Sequence, residues 1–331
     1  MREKTAILPK TIESYALALR KIAADIAGLS GGSRDAWDVK LSRPTPEAIE
    51  AWRIGFIRRK AVNPLAEKSA KVSANSFILR ARSLFSAETV ARVSEIVEMP
   101  ELLPFAGVKV ERVRVARYRS SFDMAALLQS ARQELATAKP EQFKIFLLAA
   151  MAGLRRNEID KLLWSAFRFD EGLIRVEATQ FFRPKSYSSE GDVLVDAELI
   201  EIFRGYYARR RGDFVIESDS EPDSGALFYG QYRCQDHIRE LIAWLRSKGV
   251  VSRTPLHALR KEFGSQINAR YGLTAAQEML RHADIAVTAA HYVENKRRSV
   301  LGFGHLLKGE RTIVPIDKAA VSRDQQNKSR A

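Results

Sequence analysis

One cysteine, Cys234, and five histidines stand in 331 residues. A lone thiol excludes an internal disulfide framework and any multi-cysteine zinc ribbon, and it fits a reducing compartment. No apolar run approaches the roughly 18–20 residues that a membrane-spanning helix needs. The opening, MREKTAILPKTIESYALAL, lacks a signal peptide's continuous apolar core and its small-residue cleavage site. There is no Gly-rich phosphate loop of the Walker type, and no internal repeat of roughly 20–50 residues. Acidic residues are in deficit as well: Asp+Glu 40 against Lys+Arg 54 leaves a formal charge of +14. A field of that sign favours a polyanionic partner, nucleic acid first. Together these absences predict a soluble, cytoplasmic protein with no membrane partner.

What is present is ordinary globular material, 46% hydrophobic and 28% charged. At roughly 100–200 residues per domain the length suggests two domains. The first third reads as four helices. Thr11 is placed to cap the first, whose apolar residues from Tyr15 to Ile26 recur at three- and four-residue steps until Gly28. Thr45-Pro46-Glu47 opens the second with a capping hydroxyl, a first-turn proline and an acid near the positive dipole end. A third is predicted over Lys68–Phe85, and Ser86-Ala87-Glu88 starts a fourth. Periodicity lapses from Met99 to about Asp123. There the Arg- and Val-rich KVERVRVARYRSSFD reads either as a connector lying along a phosphate backbone or as a solvated extended loop.

The remainder reads as mainly helical. Helices are expected over Met124–Leu135, Pro140–Met151, Arg156–Trp164, Asp196–Arg210, Tyr232–Lys248, Leu256–Tyr271, Ala275–Arg281 and Ile285–Val293. GLIRVEAT and GDVLVDA alternate like two strands around the excursion FFRPKSYSSE. The fold class is therefore mainly α in two domains: an N-terminal helical bundle, then a mixed α/β unit with a small antiparallel sheet. The boundaries expected are 1–107, a basic linker 108–121, a second domain 122–310, and a tail 311–331 whose polar end, SRDQQNKSRA, looks disordered.

Four stretches of the second domain carry chemistry. Gly153-Leu154-Arg155-Arg156-Asn157-Glu158 breaks a helix and restarts it, so that an arginine projects from a helix junction with an acid one turn on. The excursion holds Arg183 and Lys185. His257 and Arg260 lie three apart, on one helical face. His282 is followed ten positions later by Tyr292. A protein that cuts a phosphodiester without metal needs such side chains. Two arginines grip the non-bridging oxygens and stabilise charge growing on five-coordinate phosphorus. A lysine or histidine protonates the departing 5′ oxygen. A tyrosine hydroxyl among cations becomes a nucleophile, and its phosphotyrosine product conserves the bond energy for rejoining.

In this order, G-L-R-x-x-E, a hairpin lysine, H-x-L-R, L-x-H and a downstream tyrosine resemble the tyrosine recombinase (phage integrase) family over nearly the whole chain. The resemblance implies a helical core-binding (SAM-like) domain followed by a catalytic domain, closing round duplex DNA as a clamp. It implies that Arg155 and Arg260 clamp the phosphate and that Lys185 is the hairpin general acid. His257 and His282 would assist proton transfer, Tyr292 would be the nucleophile, and Glu158 would support Arg155. It implies site-specific cleavage and rejoining of double-stranded DNA through a 3′-phosphotyrosyl intermediate, with no cofactor, ATP or metal. It also implies a homo-tetramer on paired sites, with accessory DNA-bending proteins among the candidate partners. DNA contacts are assigned to Asn75, Ser76, Arg80 and Arg82 of the third helix and to Arg156. The tail after Asn295 docks on a neighbour or folds back.

Two departures stand out. Arg281 occupies the place of the usual glycine before the last histidine, and Tyr292 follows His282 at ten positions, one more than in many relatives. Blander roles fit the other residues: Trp52, Trp164, Trp244 and the Phe181-Phe182 pair read as core or interface, and Cys234 as an inert buried thiol. Two further readings remain: a type IB topoisomerase-like relaxing enzyme, and a catalytically silent DNA-binding protein on the same fold.

Overall fold

The computed structural model describes residues 9–30, 35–113, 118, 120–184, 189–220 and 232–282. The chain is mainly helical. Helix α1 (Pro9–Ala27) starts two residues before Thr11, because proline at a helix start loses only an N–H that has no partner there. Gly28, at φ 69°, ends it. Thr45 caps α2 (Pro46–Lys60) as expected, its hydroxyl accepting the Ala48 N–H at 3.2 Å. Helix α3 (Pro64–Arg82) begins four residues earlier than the periodicity suggests. The Asn63 carboxamide oxygen accepts the Ala66 N–H at 2.8 Å, and Pro64 and Glu67 complete a second opening of the Thr45 type. Ser86 caps α4 (Ala87–Val93).

The buried face of α3 is Ala70, Ala74, Ile78 and Ala81. Its alanines admit α1 and α2 closely, and Ile22, Ile49, Trp52 and Phe56 fill the space between. Trp52 Nε1 donates to Asp25 at 2.9 Å, satisfying the indole inside this core. Phe105 and Val108 close it from the following segment. The backbone of 108–111 is then laced to α2 and α3. Arg82 donates to the Val108 carbonyl, Arg53 to that of Lys109 at 2.8 Å, and Glu50 accepts the Lys109 N–H at 3.1 Å.

The second core gathers around α6 (Pro140–Ala150), whose residues from Gln142 to Ala150 are all buried. Helix α5 (Met124–Glu134), capped by Asp123, packs on it, as do α9 (Gln235–Ser247) and α10 (Pro255–Tyr271). Helix α7 (Arg156–Asp160) is a single turn. It stops short of Trp164, which begins a separate 3-10 turn and packs its ring on Phe167 and Phe203. Three antiparallel strands follow in the order β1 (Phe167–Arg168), β2 (Leu173–Val176) and β3 (Gly191–Leu194), with Ile174 opposite Phe167 and Val193. Two strands were expected; the third is two residues long and offers no alternation to read. Helices α8 (Ala197–Tyr207) and α11 (Leu273–Leu280) complete the α-helices of the described residues. Among the described residues no helix is long and apolar enough to cross a membrane. Cys234 is fully buried, and burial pushes its thiol up to about 12.

Candidate active site

Gly153 sits at the turn between α6 and α7 with φ 59°, and a Cβ there would meet the Phe263 ring of α10 at 2.5 Å. Only glycine allows both the left-handed backbone and this close approach. The turn sets Arg155 at the N-cap of α7. Glu158, at the third helical position, reaches back: Oε2 accepts the Arg155 backbone N–H at 2.8 Å, and Oε1 accepts from Arg155 Nη1 at 2.7 Å. Glu158 is therefore a cap and a salt-bridge partner at once.

From the far end of the domain, α11 delivers two consecutive carbonyls to the same place. Arg260 Nη2 donates to the Leu280 carbonyl at 2.5 Å and its Nη1 donates to that of Gly153. Arg155 Nη2 donates to the carbonyl of Arg281 at 3.3 Å. Both guanidiniums are thus held by neighbouring peptide oxygens, although they stand 105 positions apart in the sequence. Arg260 is buried, whereas the Arg155 side chain keeps 32% of its exposure.

Arg281 enters the same cluster. It is the only non-glycine with positive φ among the described residues (φ 51°, ψ 53°), at the C-cap of α11. Its Nη2 donates to Glu158 Oε2 at 2.5 Å, with each side chain 3% exposed, and its Nε donates to the Ser189 carbonyl at 3.2 Å. Burial pushes the Glu158 carboxyl up, but the Arg281, Arg155 and Arg260 guanidiniums and the Arg155 N–H outweigh it and hold it below the usual carboxylate range. Burial lowers the Arg281 guanidinium, with Glu158 opposing and Arg155 reinforcing the shift.

The structure brings Arg155, Glu158 and Arg260 together. His257 lies one turn before Arg260 on α10 and is exposed where Arg260 is buried, so the two differ in depth rather than emerging side by side. His282 directly follows Arg281, half-buried, with its N–H donated to Gln277. Lys185 and Tyr292 lie outside the described residues, as does the helix expected over Ile285–Val293. Arg156 stacks at 3.8 Å on Tyr232 and donates to Gln235 at 2.6 Å, tying α7 to α9. Ser76 is half-buried and Arg80 exposed on α3, while Asn75 and Arg82 engage the segment 108–111. A further link escaped the sequence reading: Tyr118 donates its hydroxyl to Glu262 at 2.8 Å, two residues past Arg260. No local pattern announces a contact spanning that much chain.

Over residues 117–298 the chain matches the model described as "Phage integrase family". The chain belongs to the phage integrase family of tyrosine recombinases. Solved integrases share its fold. A lambda integrase dimer bound to a COC′ core site superposes with TM-score 0.57 at 17% identity, over 89% of this chain and 92% of that one. The Tn1549 transposon integrase in complex with transposon right end DNA gives 0.53 at 14% identity, over 88% and 92%. A lambda integrase tetramer bound to a Holliday junction gives 0.56 at 18% identity, over 89% and 75%. At these identities the likeness is one of fold. No curated protein sequence matches the chain.

Proposed function

We propose that this integrase-family chain is a site-specific DNA recombinase that cleaves and rejoins double-stranded DNA through a 3′-phosphotyrosyl intermediate. One observation carries the reading: Arg155 and Arg260, far apart in sequence, are held on the adjacent carbonyls of Arg281 and Leu280 beside the single carboxylate of Glu158. Each terminal nitrogen keeps a second N–H beyond the acceptor it holds, and a pair fixed in this way offers donors to the non-bridging oxygens of one phosphate and stabilises the extra charge of the five-coordinate state. In this reading Tyr292 attacks phosphorus, Lys185 protonates the 5′ oxygen that leaves, and His257 and His282 move the nucleophile's proton and bind the phosphate. The second strand's 5′ hydroxyl then displaces the tyrosine.

DNA contacts from the N-terminal helices fall to Ser76 and Arg80 on α3, since Asn75 and Arg82 are engaged in holding the segment after Phe105. Arg156 acts from the edge of the site. Binding should weaken steeply with salt, as backbone contacts do. The solved relatives bound to DNA as a dimer and as a tetramer on a Holliday junction support a tetramer on paired sites.

The test is covalent capture. Nicked duplexes from a randomised pool are incubated with the protein, denatured and digested, and the modified residue is mapped by mass. A phosphopeptide at Tyr292 that disappears in Tyr292→Phe, with noncovalent binding retained, is the expected result. An adduct surviving in that variant would remove Tyr292 from the role. Relaxation of supercoiled DNA without strand exchange would favour the topoisomerase-like reading.

A further inference from the structure

We infer that Arg281 is a positioning residue for the phosphate site, holding Glu158 and the end of the β2–β3 excursion at Ser189 so that Arg155 stays available to an anion. The inference rests on the reading of this cluster as a phosphate site.

Three features of Arg281 argue against incidental charge. It stands at a C-cap in the left-handed region, where a glycine would be unstrained and an arginine costs about 1 kcal/mol. Burial of a guanidinium is costly unless it is paired, and Arg281 is paired at 2.5 Å with a carboxylate that is itself buried. Its Nη1, also buried, has no hydrogen-bond partner among the described residues. A side chain that only closed a helix would sit in water and avoid the burial and the unpartnered nitrogen.

The connections show what the guanidinium does instead. Glu158 Oε2 is occupied by Arg281 and by the Arg155 N–H, so Arg155 Nη1 holds Oε1 alone. The carboxylate's charge is divided between two cations instead of being spent on Arg155. Arg281 Nε fixes Ser189, four residues after Lys185 in the sequence, and its own carbonyl receives Arg155 Nη2. One residue therefore joins the helix junction, the end of α11 and the start of β3. Without it Glu158 would have Arg155 as its nearest cation, and the positive charge offered to an anion would fall.

The test uses the full chain and orthovanadate, a mimic of five-coordinate phosphorus, titrated by ⁵¹V NMR. Wild type is expected to bind saturably. R281G, whose backbone suits the left-handed C-cap, should bind about tenfold or more weakly, the scale seen when groups supporting a binding shell are lost. R281K, which can still reach Glu158 with a charge, should recover part of the loss, and R281M should not. A merely structural role would lower the Tm of all three without ordering their affinities by charge. If R281G fails to fold, the R281K–R281M contrast carries the same comparison. Equal vanadate affinity in wild type and the charge-free variant, or no saturable binding by wild type, overturns the inference. Vanadate affinities ordered by charge, with no DNA adduct in the capture experiment, would instead sink the recombinase reading and leave Arg281's role at an anion site standing.

Discussion

Asn75 clasps Glu111 by both of its backbone polar groups: the carboxamide NH2 donates to the Glu111 carbonyl at 2.8 Å, and the Glu111 N–H donates back to the carboxamide oxygen at 2.9 Å. A side chain thus replaces a strand partner for one residue of an otherwise irregular segment. Asn75→Ala removes two part-buried hydrogen bonds, and the loss should be about 1–3 kcal/mol. The expected readout is faster amide exchange at Glu111 and earlier tryptic cleavage after Arg112, with the α1–α3 core still cooperative. Asn75→Asp keeps the acceptor and loses the donor, so it should fall between the two.

Asn75 also marks where sequence legibility ends. Caps, prolines and helical periodicity place α2, α4, α5 and α6 because each signal lies within a few residues of the element it controls. The start of α3 was available in Asn63-Pro64, but the apolar stripe alone begins later. That Arg155, Glu158 and Arg260 form one cluster was legible by residue type and order. Which carbonyls hold them was not, because Leu280 and Arg281 contribute peptide oxygens, and any residue has one. Arg281 was visible as a departure from glycine; its ion pair with Glu158 depends on a turn of backbone that no spacing specifies. Asn75 and Arg82, assigned to DNA contacts from the sequence, also fasten residues 108–111, which no spacing announces.

Gly153→Ala should be severe for one residue in a turn. Positive φ costs about 1 kcal/mol, and the clash with Phe263 adds the roughly 1–3 kcal/mol typical of overpacking. Because the Gly153 carbonyl receives Arg260, the adjustment moves that guanidinium as well. Chemical denaturation should give a loss of about 2–4 kcal/mol. Adding Phe263→Leu should recover the steric part and leave the backbone part, so the double variant is more stable than the sum of the singles predicts.

Glu158→Gln should cost about 3–5 kcal/mol near neutral pH, because it leaves the Arg281 guanidinium buried beside a neutral amide. The cost depends on pH with a fixed sign. The folded-state value of Glu158 lies below its ordinary 4.5, so its stabilisation is complete above that value and is lost as pH falls through the lowered one. The Tm difference between wild type and Glu158→Gln should be constant from pH 8 to about 5 and shrink below that. A difference that grew on acidification would contradict the ion-pair cluster.

Arg260→Ala separates folding from chemistry. The side chain is 2% exposed and donates to the carbonyls of Gly153 and Leu280, so its removal opens a cavity and strands two buried acceptors. Stability should fall by about 2–4 kcal/mol. If the guanidinium also stabilises the five-coordinate phosphorus, single-turnover cleavage of a captured nicked duplex should fall by about 100-fold or more, even at temperatures where the variant is folded. Arg260→Lys tests the geometry: one ammonium keeps the charge but cannot reproduce the planar fork. It should restore DNA binding and part of the stability while cleavage stays well below wild type. Near-wild-type cleavage by the lysine variant would mean that charge alone suffices and that the two carbonyl anchors only support the fold.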